Sequence, residues 1–335
     1  MELIKIRKPD DFHVHLRQGK ILRDVMGYTA RHFARSLVMP NTLPPIRTAD
    51  DARRYLHEID TVNRWSHRPL MSIKLTTSTS AKTVRQAKAS GVVAGKLYPE
   101  GVTTNSADGI RNFHDLWPVF DAMQDESMVL CMHGEMPGVF VLDREREFLS
   151  TLSTIAEAFP QLRIVFEHVS TLEAVQCVAQ LPANVAATIT VHHLFLTLDD
   201  VIGDLLEPHH FCKPVAKGYR DREALIEAAL SGSPKFFLGT DSAPHSREKK
   251  ECASGCAGIF TSPVAMPILA ELFSIANLPE NLEGFTSVHG ARFYQLPLNE
   301  DRLTLVQDPW TVPQHYAGVV PFRAGETLNW RVSGE

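Results

Sequence analysis

Two histidines, His13 and His15, stand two residues apart in the stretch "PDDFHVHLRQG", and Arg17 continues the same alternation. Imidazole is a ligand for zinc-class metals and a proton carrier near neutral pH, and guanidinium is a planar clamp for carboxylates. Side chains two apart on a strand share a face, so His13 and His15 can both reach one ion. Further reactive residues close other apolar runs: Asn41 in "VMPN", Lys96 in "GKLYP", His133 in "CMHGE", His168 in "FEHVS" and Asp241 in "LGTDS". Imidazoles and a carboxylate suit zinc and similar borderline metals. Two such ions about 3.5–4 Å apart can share a bridging hydroxide. The pair needs an anionic bridge, and no glutamate obviously supplies one. A lysine ending a buried strand must pair or lose its charge. As a neutral amine it can take up CO2 to form a carbamate, which behaves like a carboxylate and would account for Lys96 among metal ligands. Each residue taken singly has an ordinary alternative. A H-x-H pair can be structural, His133 or His168 can be a satisfied core histidine, Asp241 can cap the next turn, and Lys96 can pair with a neighbouring carboxylate. The combination is far more specific than its parts.

These residues need elements that aim them at one point. Eight short strand-like runs recur: "DFHVHL", "SLVMPN", "LMSIKLTT", "VVAGKLYP", "MVLCMHGE", "RIVFEHVS", "AATITVHH" and "KFFLGTDS". Most precede a helical stretch, such as "TLEAVQCVAQL" after the sixth, and "DREALIEAAL" leads into the eighth. Strands alternating with helices imply βαβ units and a parallel sheet. Eight units predict an α/β fold, a (β/α)8 barrel, which takes about 250 residues and carries its active site at the C-terminal strand ends. A doubly wound open sheet is the alternative, because periodicity does not establish closure. With no linker-like segment, the expectation is one domain over residues 1–335, with a C-terminal extension after about residue 260.

Composition narrows the class. The net charge is −5 over 335 residues, with 44% hydrophobic content, and the pI is near 6.3. Nothing here is a basic footprint for nucleic acid or an anionic membrane. The longest basic cluster, Arg247 with Lys249 and Lys250, is short and interrupted by Glu248. No apolar run reaches the length of a membrane span, and "MELIKIRKPDD" lacks a signal peptide's apolar segment. Five scattered cysteines, an odd number, predict reduced thiols and a cytoplasmic protein. Cys252 and Cys256 are spaced like half a zinc site but lack a second pair, which favours ordinary loop thiols.

The set H-x-H, Lys, His, His, Asp over eight strand ends resembles the amidohydrolase superfamily. The stretches "DFHVHLR", "VMPN", "GKLYPEGVTTNS", "HGE", "FEHVST", "FLGTDSAPH" and "CAGIF", in order over residues 11–260, are similar to the short, PyrC-type (class II) dihydroorotases, as is "GETLNW" near the C-terminus. The resemblance implies zinc-dependent, reversible cyclisation of N-carbamoyl-L-aspartate to L-dihydroorotate plus water, a step of pyrimidine biosynthesis. It implies two Zn2+ per chain. His13, His15 and Asp241 would hold one with Lys96, and His133 and His168 the other, with carboxylated Lys96 and a hydroxide bridging both. Asp241 would also be the catalytic proton carrier. His15, Arg17, Asn41, His133 and His245 fall at substrate-binding positions, with Arg17, Asn41 and His245 on the substrate carboxylate. Lys213 and Ala257 match positions that touch the substrate ring through backbone groups. Thr103 and Thr104 match a mobile lid loop. A homodimer is implied by the family only. The rival within the superfamily is a dihydropyrimidinase or hydantoinase, which would not need a carboxylate clamp at Arg17 and Asn41.

Overall fold

The computed structural model describes residues 2–334, so the two ends of the expected 1–335 span lie outside the described residues. Eight strands follow one another in space as in sequence: β2 (Asp10–Val14), β3 (Arg35–Val38), β4 (Arg68–Leu75), β5 (Ala94–Leu97), β6 (Val129–His133), β7 (Ile164–Glu167), β8 (Val185–Ile189) and β9 (Phe236–Leu238). Every neighbouring pair is parallel. Each of the eight overlaps one of the eight runs read from the sequence, four of them (β2, β3, β4 and β8) starting one or two residues earlier. The intervening helices include Leu172–Gln180 and Tyr219–Leu230, which cover the two helical stretches noted there.

The last strand returns to the first. Val14 bridges Ser242, the His15 amide donates to the Ser242 carbonyl at 3.0 Å, and the Asp241 amide to the His13 carbonyl at 2.8 Å. Asp11 stitches this seam from inside. Its carboxylate accepts from the Thr240 amide (2.8 Å) and hydroxyl (2.6 Å), and from the His13 amide (3.1 Å). The sheet is therefore a near-closed barrel ringed by helices, the (β/α)8 arrangement, and the open-sheet alternative falls away.

Strands buried on both faces read as almost continuous apolar runs, because neither face meets water. Phe12, Leu37, Leu70, Val129, Val165 and Phe237 point into the barrel, while Ile73, Leu97, Leu130, Phe166 and Leu238 pack outward against the helices. The N-terminal end of the barrel is plugged by the helix His289–Phe293 and by Tyr294, whose ring stacks on Phe12 at 4.7 Å. That leaves only the C-terminal end open for chemistry.

Two strands lie in the C-terminal extension, β10 (Arg302–Thr311) and β11 (Thr327–Val332), and they form a three-stranded antiparallel sheet with β1 (Leu3–Arg7). The sequence reading placed no strands there. No helix among the described residues is long and apolar enough to cross a membrane.

The plug makes a testable demand. A Cβ added at Gly290 would lie 2.3 Å from the Phe12 ring and 3.0 Å from that of Phe237. Overpacking of this kind costs about 1–3 kcal/mol. Gly290→Ala is expected to lose that much in urea unfolding, and a variant within experimental error of wild type would show that the plug is not tightly packed.

Candidate active site

The strand ends open on one cavity of about 380 Å³, counting its mouth. It is lined by His13, His15, Arg17, Asn41, Tyr98, Thr103, Thr104, His133, His168, Lys213, Asp241 and Ala257, among others. Every site residue read from the sequence is in this lining except Lys96 and His245. Lys96 lies in the barrel interior, fully buried. His245 stands against Arg17, with Arg17 Nη2 and His245 Nε2 2.8 Å apart.

The backbone explains why these side chains converge. Three residues of β2 span two of β3 between Asp11 and Val14, a bulge that re-aims the strand end. Phe12 then joins the interior core while both histidines reach the mouth. Arg17, His168 and Asp241 have φ of 62°, 44° and 45°, left-handed values uncommon for residues other than glycine. Each such residue costs about 1–3 kcal/mol and persists only where the surroundings enforce it. At His168 the turn has a direct effect. In a regular strand Glu167 and His168 would face opposite sides, yet here His168 lines the cavity and Glu167 backs His13 beneath it.

Asp241 gathers the first two histidines, its Oδ1 lying 3.3 Å from His13 Nε2 and 3.0 Å from His15 Nε2. Burial pushes the Asp241 carboxyl up, but His13 and His15 outweigh it and hold the group far below the usual carboxylate range. Burial lowers His15 to about 4 despite Asp241. On the other side His133 Nδ1 faces His168 Nε2 at 3.0 Å. Burial also lowers His133 and His168, so both rings stay neutral, the form that binds metal.

Two glutamates that the sequence reading did not single out complete the arrangement. Glu167 Oε2 lies 2.6 Å from His13 Nδ1 and accepts from the Thr188 hydroxyl at 2.8 Å. Glu135 Oε2 lies 2.7 Å from His133 Nε2. Both carboxylates are buried, and burial raises each pKa, but the basic groups beside them more than compensate: Lys96 and His13 for Glu167, the His133 hydrogen bond and Lys217 for Glu135. A carboxylate on one ring nitrogen fixes the tautomer and turns the other nitrogen's lone pair inward, the usual support for a metal-ligating histidine.

The residues fit a metal centre. Lys96 Nζ, Glu167 Oε1 and His168 Nδ1 are buried, and none has a hydrogen-bond partner among the described residues. Such groups are costly unless something pairs them. Burial lowers the Lys96 pKa more than Glu167, Cys131 and Asp241 raise it. His13, His15 and Asp241 bring ligand atoms within 4.8 Å of one another. A second buried group, His192, His193 and Cys212, is equally close. There His193 Nε2 and Cys212 Sγ both bond the Pro214 carbonyl, and burial pushes the thiol up to about 12 and the imidazole down to about 4, so these two act as neutral packing.

The remaining lining is cationic or hydrogen-bonding. His245 Nε2 lies between Arg17 Nη2 (2.8 Å) and the Ala257 carbonyl (3.1 Å), and burial followed by Arg17 holds His245 neutral, down to about 3. Lys250 is not part of a solvated basic patch. It is buried and donates to the Phe211 (3.0 Å) and Gly258 (2.7 Å) carbonyls, tying the loop before Lys213 to the loop after Ala257. All five cysteines are free, Cys252 and Cys256 included.

Comparison with known proteins agrees with this geometry. Residues 6–299 match the model of the amidohydrolase family. A dihydroorotase of Vibrio vulnificus (strain YJ016) is 47% identical over 341 residues, covering 99% of this chain and 100% of that protein. The crystal structure of dihydroorotase (pyrC) from Campylobacter jejuni superposes with a TM-score of 0.93 at 39% identity, covering 99% of this chain and 98% of that one. A dihydroorotase from Saccharomyces cerevisiae, in complex with 5-fluoroorotic acid, gives 0.93 at 34% identity with the same coverage. The chain belongs to the amidohydrolase family and, within it, to the dihydroorotases.

Glu167→Gln keeps size and most packing but removes the charge beside His13 and Lys96. Loss of such a supporting carboxylate costs about 10–100-fold in metal affinity. Metal titration of the chelator-stripped variant is expected to show a loss of that order, and wild-type affinity would remove Glu167 from the centre.

Proposed function

We infer that this chain is a dihydroorotase, catalysing the reversible cyclisation of N-carbamoyl-L-aspartate to L-dihydroorotate with loss of water. The observation that carries this reading is the pairing, in one cavity, of the histidine–aspartate cluster with Arg17 and Asn41. A cyclic amide with no carboxylate, the substrate of a dihydropyrimidinase, has no use for that cationic clamp. Identities of 34–47% to dihydroorotases along the whole chain support the same choice.

The reading assigns work to named side chains. Arg17 presents a planar fork to the substrate carboxylate, with Asn41 and His245 completing the grip. Charged hydrogen bonds of this kind are worth about 1.5–3 kcal/mol each, enough to select an acidic pyrimidine over a neutral one. The backbones at Lys213 and Ala257 hold the ring edge, and Thr103 and Thr104 cover it. Asp241 moves the proton: in hydrolysis it takes one from the attacking water and returns it to the departing ring nitrogen, and in cyclisation the order reverses. Zinc-class ions, when bound, lower the pKa of water and polarise a carbonyl.

The metal assignment is two Zn2+ per chain, with His13, His15 and Asp241 on one, His133 and His168 on the other, and carboxylated Lys96 shared. The unpartnered Lys96 amine supports this, because only a neutral amine takes up CO2. We further propose a single domain, the barrel with its C-terminal extension, working as a cytoplasmic homodimer with no nucleic-acid or membrane partner.

The test is cyclisation of N-carbamoyl-L-aspartate with metal analysis of the same sample. Turnover with about two zinc-class ions per chain is expected, and dihydrouracil hydrolysis without dihydroorotate turnover would overturn the reading. Asp241→Asn still offers the metal an oxygen but cannot carry a proton. It is expected to keep much of its zinc and to lose turnover by ~100-fold or more. Near-normal turnover with near-normal zinc would make Asp241 a ligand only.

A further inference from the structure

The end of β4 contributes Lys74, which stands in register beside Lys96 on the barrel wall and is 1% exposed. Lys96 turns to the metal-site side, so the buried Lys74 ammonium needs partners of its own. Lys74 finds them above the mouth. Its Nζ donates to the Asn105 carbonyl at 2.7 Å and to the Asp108 carboxylate, and both residues belong to the loop that carries Thr103 and Thr104 over the cavity. Asp108 takes a second cation, Arg47, at the surface. The Asn105 side chain donates to the Asn41 carbonyl at 2.9 Å, which seats the loop beside the substrate clamp. Ser106 braces the loop internally, accepting from the Thr103 amide at 3.0 Å and donating to the Thr103 carbonyl at 2.7 Å. The loop is thus braced internally and fastened to the barrel at one buried charge, with Arg47 and Asn41 holding it at the rim.

We propose that Lys74 is a positioning residue for the reaction, a buried latch whose ammonium holds the Thr103–Thr104 lid shut through Asn105 and Asp108. Lifting the lid strips a buried ammonium of both hydrogen bonds, an expensive event unless water replaces them. The closed lid is favoured by that difference, and the latch must be broken at each substrate entry and product exit. Lys74 itself does not line the cavity and takes no part in the chemistry.

The lid's purpose rests on the dihydroorotase reading, but its fastening does not, so the test has two arms. Hydrogen exchange over residues 99–111 needs no substrate. Lys74→Met and Asp108→Asn are expected to quicken exchange there about tenfold or more, the worth of a charged hydrogen bond, while β7 and β8 stay as in wild type. In the kinetic arm KM for dihydroorotate should rise by a similar factor, with kcat held or raised, and Lys74→Arg should restore part of the loss. Asp108 is partly exposed, so Asp108→Asn decides the matter if Lys74→Met does not fold. Faster exchange confined to the lid supports the latch, even if the wild type turns over no dihydroorotate. Exchange that quickens throughout the barrel, or stays at wild-type rates in the variants that fold, overturns it.

Discussion

Withdrawing charge from water is the constraint on which this structure turns. The barrel mouth buries His13, Lys96, His133, Glu135, Glu167, His168 and Asp241, each no more than 6% exposed. An isolated ion in such a place is costly, and the net cost is bearable only when opposite charges and hydrogen bonds meet it at close range. The pairs described above do this one by one: Asp241 with two imidazoles, Glu167 with His13 and Thr188, Glu135 with His133. The set is nevertheless incomplete on protein partners alone. Lys96 Nζ and Glu167 Oε1 are the residue of that imbalance. A protein that only needed to be stable would have filled this volume with leucine.

The same constraint shapes the backbone around the mouth. Regular strands alternate their faces, so a barrel built only of ideal strands could offer at most every second residue to its interior. The bulge in β2 and the left-handed residues at the ends of β7 and β9 break that rule where the density of functional groups demands it. The strain is supported from below by the packed interior around Phe12, Phe237 and Tyr294, and at the seam by Asp11.

Much of this was legible in the sequence. The strand runs announce themselves because burial on both faces demands apolar residues throughout, and His13, His15, Lys96, His133, His168 and Asp241 stand out because such residues interrupt those runs. Glu167 was hidden by the very rule that revealed the histidines, since alternation assigns it the face opposite to His168. Lys74 looked like an ordinary polar member of the third run, because its partners at Asn105 and Asp108 lie some thirty residues on. Lys250 was masked by its neighbours Arg247 and Lys249, which made a buried side chain read as part of a surface cluster. β11 alternates strictly, Thr-Leu-Asn-Trp-Arg-Val, and was open to a strand reading, whereas β10 alternates only over its first residues before Asp308 and Pro309 break the pattern, and its pairing with β1 is a contact across nearly the whole chain.

That last pairing bears on how the molecule is made. Leu3 is paired with Val306, and only Lys8 and Pro9 separate β1 from the strand that carries His13. At roughly 5–20 residues per second of synthesis, β1 waits about 15–60 s after leaving the ribosome for its partner. During that wait β1 is an unpaired edge, a template for any other strand it meets. β2 also lacks its seam partner until the residues around Ser242 emerge. The strand bearing the first two histidines is therefore enclosed on one side only once Ser242 has emerged and anchored through β1 only once β10 has, which makes nascent-chain protection as much a requirement of this architecture as any contact in the finished barrel.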